Sequence, residues 1–481
     1  MKVFKKLNMN MLELDRNLDV ENNFDIIKRE VVVGNKNACI YYVDGFIKDS
    51  LLQEVTRFML LTESGNITDI KNASEYCKKL LPYMEIETND ELEEIQISLL
   101  SGCTVIFIDD INEAIIADMR EYPQRSISEP EKDKVIKGAK DGFIQTPIFN
   151  VTLIRRRIRN NALKFEHILV GEDTNNDVII SYMDDRVDPK KLKKVKEILK
   201  NTKVKSLNFG AQSLVEAMCK KTWLNPFPKA EYIERPDVAS ANILEGRILL
   251  FVDNSSSAIL LPVTFWDFFQ EAQDFYFAPP VANYLRIMRY FISFLTVFAV
   301  PIWLLLVNNL DLMPDWLKFL ELSEEAKIPI IVQIFILEFV ISVIKTASIN
   351  TPSMISNSIS LIGAVIVGDI AIITNIISPE VMLISAFSAM GFYSQPSFEL
   401  GYGFLFIRII LVLLVQFFNV WGLMAGTLIG IILIVANKTI LGDSFIYPLV
   451  PFNFKKLYIL YLDLEIVKKA IYNRTSTFRL N

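Results

Sequence analysis

Three ionisable residues stand where lipid would surround them. Glu338 falls midway along one apolar run, Asp369 midway along another, and Arg408 in the first turns of a third. A charge in hydrocarbon is costly, so each is by default a functional candidate: a carboxylate that meets a passing cation, or half of a structural ion pair. Around Asp369 the spacing adds a second signal. At roughly 100° per residue, Ser360, Ala364, Gly368, Ala371, Asn375 and Ser378 share a stripe about 80° wide, with Asp369 opposite its origin. A small, polar stripe either lines a water-filled pore or lets another helix pack closely. Pairing of Glu338 or Asp369 with Lys345 or Arg408 is the other open reading.

The elements that position these groups are apolar helices. Tyr290 to Val307 has no charge, and Arg286 and Arg289 precede it, which places its start on the cytoplasmic side. The next loop, Asn308 to Lys327, carries net negative charge and suits the outer face. Ile328 to Ile344 returns, Ser360 to Ile377 goes out again, and Gly403 to Val420 and Leu423 to Ala436 are parted only by Trp421-Gly422. Val381 to Tyr393 is short for a crossing and reads as a half-helix or re-entrant piece. Lysines from Lys438 onward predict a cytoplasmic tail. Both ends inside require an even number of crossings; six is favoured, with four or five plus a re-entrant element open. Asn350-Thr351-Pro352-Ser353, Ser378-Pro379-Glu380 and Gln395-Pro396-Ser397 break the apolar runs, as ion sites and ordinary loop caps both do.

Charge is unevenly spread. Residues 290–454 hold 15 of the 106 charged side chains, so about a third of the 481-residue chain is built for lipid and the rest for water. A net charge of −6 with no basic domain argues against nucleic acid as a partner. The single histidine, His167, leaves no His-based catalytic site or metal cluster, and no P-loop, GxGxxG, HExxH or GxSxG motif occurs. The expectation is a non-enzyme without cofactor. Cys39, Cys77, Cys103 and Cys219 have no CxxC spacing and read as reduced thiols packed as small hydrophobes. The first 30 residues lack an apolar core, which predicts no cleavable signal peptide.

The water-soluble part repeats. Ile40-Tyr41-Tyr42-Val43-Asp44 resembles Ile180-Ser181-Tyr182-Met183-Asp184 at an offset of 140, and Leu99 to Asp109 resembles Ile243 to Asp253 at an offset of 144. Each copy reads as a strand, a helix, then a hairpin of two strands. Asp188-Pro189 marks the helix start in the second copy. The fold class expected is α/β, two related cytoplasmic subdomains of mixed strands and helices, followed by an α-helical polytopic membrane domain. The boundaries are 1–117 and 161–280 for the α/β units, 118–160 for a linker with a basic helix, 281–454 for about five to six membrane helices, and 455–481 for the tail. The basic run Leu153 to Arg159 suits either anions or pairing with nearby acids.

Several strings resemble a known signature. Arg125, Glu129-Pro130-Glu131, Gly138, Asp141-Gly142-Phe143, Asn150 and Leu153 to Arg159 are similar to the GerA-type spore germination receptor A subunits. So are Asn225-Pro226-Phe227-Pro228, Glu234-Arg235-Pro236-Asp237, Leu244-Glu245-Gly246-Arg247, Phe265-Trp266-Asp267-Phe268-Phe269 and Ser378-Pro379-Glu380. Gln395 to Tyr402, Asn437-Lys438-Thr439 and Tyr447 to Asn453 look most like the family's stage V sporulation protein AF branch. Ile144-Gln145-Thr146-Pro147 departs from the family pattern of an acidic residue and Thr, so a partner surface there would differ.

The resemblance implies a multi-pass protein of the spore inner membrane, its N-terminal part facing the spore core, that works in germination when ions leave. It implies homo-oligomers forming a channel, lipid as surroundings, and B- and C-type receptor subunits or a small membrane partner. A cation channel with Glu338, Asp369, Ser360, Gly368, Asn375 and Arg408 as pore or gating residues is therefore the expected function. A small-molecule transporter and a non-conducting scaffold are the rivals, and the membrane part shows no inverted repeat to favour the former.

Overall fold

Strand β4 (Thr104–Ile108) and strand β9 (Ile248–Val252) are buried at every residue, because helices cover both faces of their sheets. The computed structural model describes residues 1–63, 70, 72–81, 85–120, 138–219, 225–322, 327–350 and 376–454. In chain order the first unit comprises α1 (Leu7–Leu18), β1 (Ile26–Val33), β2 (Lys36–Val43), α2 (Asp49–Leu60), α3 (Ala73–Leu80), β3 (Ile86–Asn89), α4 (Leu92–Leu100), β4 and β5 (Ala114–Ala117). The second repeats that series: α5 (Pro147–Arg157), β6 (Leu163–Val170), β7 (Asn176–Met183), α6 (Pro189–Asn201), α7 (Ala211–Met218), β8 (Glu231–Ile233), α8 (Pro236–Leu244), β9 and β10 (Ala258–Leu261).

The two sheets are antiparallel and share one strand order, β1-β2-β4-β5-β3 and β6-β7-β9-β10-β8. Alternation along β4 explains the layering. Val105 and Phe107 pack with Leu14 and Leu99 of α1 and α4, whereas Ile106 and Ile108 pack with Val55 and Tyr76 of α2 and α3. One detail marks the duplication at atomic level. Asn10 accepts from Phe4 N at 2.7 Å and donates to Phe4 O at 2.7 Å; Asn150, 140 residues later, does the same with Ile144 at 2.8 and 2.6 Å. The cap expected at Asp188 is present, its carboxylate accepting from Lys190 N at 2.9 Å. All four cysteines are free, and burial pushes the Cys39 thiol up to about 12.

The basic run lies in α5, which packs on β7, β9 and α8 of the second sheet. Arg155 and Arg157 are paired with acids, as one of the two readings expects, but Arg155 is buried rather than solvated. Arg155 is fully buried, its Nε 3.0 Å from Asp25 Oδ2 of the first unit, with Nη1 on Asn160 O and Leu163 O and its guanidinium over the Phe165 ring. Arg157 holds Asp141 at 2.6 Å. Arg155→Met would strand a buried carboxylate, and removing one partner of such a pair costs about 3–5 kcal/mol. The expected result is a clear loss of stability in chemical denaturation, most of it recovered in the double variant with Asp25→Asn. Equal stability of Arg155→Met and wild type would remove the pair from the unit interface.

The apolar helices follow: α9 (Pro279–Asn308), α10 (Ile330–Asn350), α11 (Pro379–Tyr393) and α12 (Phe398–Ala436). Helix α9 starts earlier than the charge-free run suggests, because Pro279 sits at its first turn. Among the described residues, α9 and α12 are long and apolar enough to cross a membrane. Helix α12 is in fact a hairpin. Asn419 has φ 49° and ψ −126°, and Gly426 lies so near Leu411 that a Cβ would stand 2.5 Å from its Cδ2. A Cβ on Gly430 would stand 3.2 Å from Ile407 Cγ2. A straight helix would hold Ile407 and Gly430 about 35 Å apart, so the chain folds back at Asn419. The break thus falls two residues before the expected Trp421-Gly422. Val381 to Tyr393 lies within α11, a helix of 15 residues. The run Ser360 to Ile377 lies outside the described residues as far as residue 375.

Candidate functional site

Four helices bring polar groups to one point inside the apolar bundle. Arg408, on the first arm of α12, donates from Nη2 to Glu338 Oε2 of α10 at 2.7 Å. Its Nη1 donates to Thr296 O of α9 at 3.0 Å and to Ser388 Oγ of α11, and Ser388 Oγ donates to Thr296 O at 3.0 Å. Glu338, Arg408, Thr296 and Ser388 are all buried. Isolated, either charge would be too costly at this depth, and the planar guanidinium fork is what allows one side chain to reach three other helices. Helices α9 and α11 come close because Gly391 has no side chain: a Cβ there would overlap Thr296 Oγ1.

Lys345 lies seven residues after Glu338, on the same face of α10. It is buried, yet among the described residues no carboxylate meets it. Its Nζ stands 3.5 Å from the ring centre of Phe392, 4.4 Å from Tyr402, 5.0 Å from Phe398 and 5.8 Å from Tyr393. Ring faces attract a cation, so the turn between α11 and α12 holds this ammonium in an aromatic cage. Helix α10 therefore presents an acid and a base along one line, each committed to a different partner.

A third cluster joins the second sheet to the membrane helices. Arg289, near the start of α9, holds Asp274 through two bonds of 2.6 and 2.9 Å and Glu271 at 2.6 Å. Arg247 binds Asp267 at 2.7 Å, and Asp267 accepts from Thr264. Arg235 binds Asp237 at 2.6 Å. Burial pushes the Asp237 carboxyl up, but bonds from Arg235 and Tyr276 outweigh it and hold the group below its ordinary value. Phe227, Phe269, Phe404 and Phe445 then carry one continuous core from the sheet into α12.

Of the residues singled out from sequence, Glu338 and Arg408 are brought together. Ser360, Gly368, Asp369 and Asn375 lie outside the described residues. Thr296, Ser388 and Gly391 were not foreseen; their only sequence signal is a small or hydroxyl residue within an apolar run. Among the described residues no cluster of His, Cys, Asp and Glu is arranged to hold a metal ion.

The sequence matches the Bacillus/Clostridium GerA spore germination protein family over residues 15–473. The chain belongs to the GerA family. Among its relatives, stage V sporulation protein AF of Bacillus subtilis (strain 168) is 34% identical, over 91% of this chain and 88% of its own length. Spore germination protein KA of the same organism is 25% identical over 90% of this chain and 80% of its own. The crystal structure of the N-terminal domain of the A subunit of the Bacillus megaterium spore germinant receptor GerK3 aligns with 55% of this chain and 98% of that domain, at 22% identity and a TM-score of 0.42. For a GerA-family membrane protein, the placement of the signature strings has a physical reason. Arg235, Asp237, Arg247 and Asp267 make the ion pairs beside the membrane helices, and Asn225 donates to Leu433 O in the second arm of α12 at 2.8 Å.

Proposed function

We propose that this GerA-family membrane protein is an oligomeric ion channel of the spore inner membrane. It releases cations from the spore core in response to, or downstream of, germinant signalling. The buried Glu338–Arg408 pair carries this reading. Replacing a buried ion pair by apolar residues of similar volume is often neutral or stabilising, so packing alone gives a static scaffold little reason to keep one among apolar helices. A gate, in contrast, needs a polar element with two arrangements, and this pair joins helices that would separate on opening. Among the described residues, Ser385 Oγ and Arg408 Nε are buried without a hydrogen-bond partner, which supplies spare polar capacity for a second arrangement.

On this reading Arg408 neutralises Glu338 in the closed state. Opening frees the carboxylate to face cations together with Asp369, beside a lining of Ser360, Gly368 and Asn375. Several copies of the chain surround the pore, the α/β units face the spore core, and B- and C-type subunits or a small membrane partner complete the assembly. The test is cation conductance of the purified protein in a planar bilayer. Wild type is expected to conduct, with Glu338→Gln and Asp369→Asn shifting selectivity or conductance. Unchanged behaviour in both variants would take these residues out of the path. A silent wild type, or a monomeric mass by light scattering, would favour the scaffold.

A further inference from the structure

Residues 188–205 carry eight lysines against two carboxylates, a local charge of +6 in a chain of net charge −6. Most of these lysines lie on α6, whose Leu192, Val195 and Leu199 face the sheet and divide the remaining side chains into two flanks. One flank is turned toward the point where the second arm of α12 ends. Lys191 Nζ stands 3.4 Å from Asp443 Oδ2, and Lys194 Nζ stands 3.4 Å from where a Cβ on Gly442 would be. Ile440 and Leu441 pack into the same apolar cluster as Leu192 and Val195. The helix is thus fixed to chain that has left the apolar hairpin only a few residues before, at Ala436.

We infer that Lys190, Lys191, Lys194 and Lys438 form a docking surface for the anionic headgroups of the leaflet from which the second arm emerges. Lys190, Lys194 and Lys438 are exposed. The carboxylates near this flank are already engaged. Lys191 meets Asp443, Asp188 accepts from the Lys190 backbone N–H, and Glu197 is drawn to Lys193 on the other flank at 4.0 Å. Basic clusters beside a membrane exit attract anionic lipid, each lysine strengthening association roughly fivefold. The attraction reaches about 8 Å at physiological salt, so only a flank held at the membrane exit benefits. Placing α6 there also gives the second α/β unit a lipid contact besides its covalent link to α9.

The experiment is lysine acetylation footprinting of the full chain, at low extent of labelling and read by mass spectrometry. The protein is placed in nanodiscs of phosphatidylcholine alone or of phosphatidylcholine mixed with phosphatidylglycerol. Lys190, Lys194 and Lys438 are expected to react about fivefold more slowly, or slower still, with phosphatidylglycerol present, while Lys193 and Lys200 on the other flank keep their rates. Equal slowing of both flanks, or no slowing at either, overturns the assignment. A third sample, phosphatidylcholine nanodiscs with soluble polyglutamate, separates the alternative occupant. Protection there equal to that from phosphatidylglycerol would assign the flank to an acidic protein partner and overturn the lipid reading.

Discussion

Arg408→Met is expected to be among the most damaging single substitutions in the membrane helices. It leaves Glu338 buried with no counter-charge, and removing one member of a buried pair costs about 3–5 kcal/mol. It also removes the donors that bind Thr296 O and Ser388 Oγ, so three helices lose their common link at once. Thermal unfolding in detergent should show a large drop in melting temperature. The double variant Glu338→Gln with Arg408→Met carries no charge at the site and should recover most of the loss, because the large term is the stranded ion rather than the bond itself. If the single variant melts with wild type, the pair does not hold the bundle. If both variants fold but the double variant no longer closes in the bilayer, the pair acts as the latch of the gate.

Gly422→Leu should be as severe, for a steric reason. The second arm of α12 begins against the first, and a Cβ at Gly422 would overlap the Leu414 carbonyl oxygen. Backbone cannot swing aside as a side-chain end can, so the hairpin must open, at a cost of about 3 kcal/mol or more. Gly430→Ala is the graded control. Its Cβ would meet Ile407 Cγ2 at 3.2 Å, a contact that a small rotamer adjustment relieves. Cysteines placed at Leu411 and Gly426 should cross-link in the wild-type background and fail to do so with Gly422→Leu. Cross-linking that survives the substitution would show that the arms pack without this close approach.

Much of the soluble architecture was legible because its signals are local and periodic. Short apolar runs such as Val105 to Ile108 and Leu249 to Val252, each followed by polar turn residues, read as buried strands, and their offset of 144 gives the duplication. The cap at Asp188, the apolar helices and their lone charges follow in the same way from composition and spacing. Sequence also narrowed the partner of Glu338 to Lys345 or Arg408, since few cations occur among the spans.

The choice between those two cations was a tertiary matter. Lys345 is nearer in sequence, but helix α10 itself carries both groups, and two residues seven apart on one face stand about 10 Å from each other. Arg408 reaches Glu338 only because α12 packs on α9 and α10 packs on α11, which brings the two helices within reach of a long side chain, and Lys345 meets rings from the α11–α12 turn instead. The burial of Arg155 likewise depends on Asp25, 130 residues away. A basic run looks the same in sequence whether water or a carboxylate surrounds it. Local propensity fixes where a side chain stands on its element; what faces it is decided by how the elements pack, and for a charge in a low-dielectric interior that neighbour determines the whole energetic outcome.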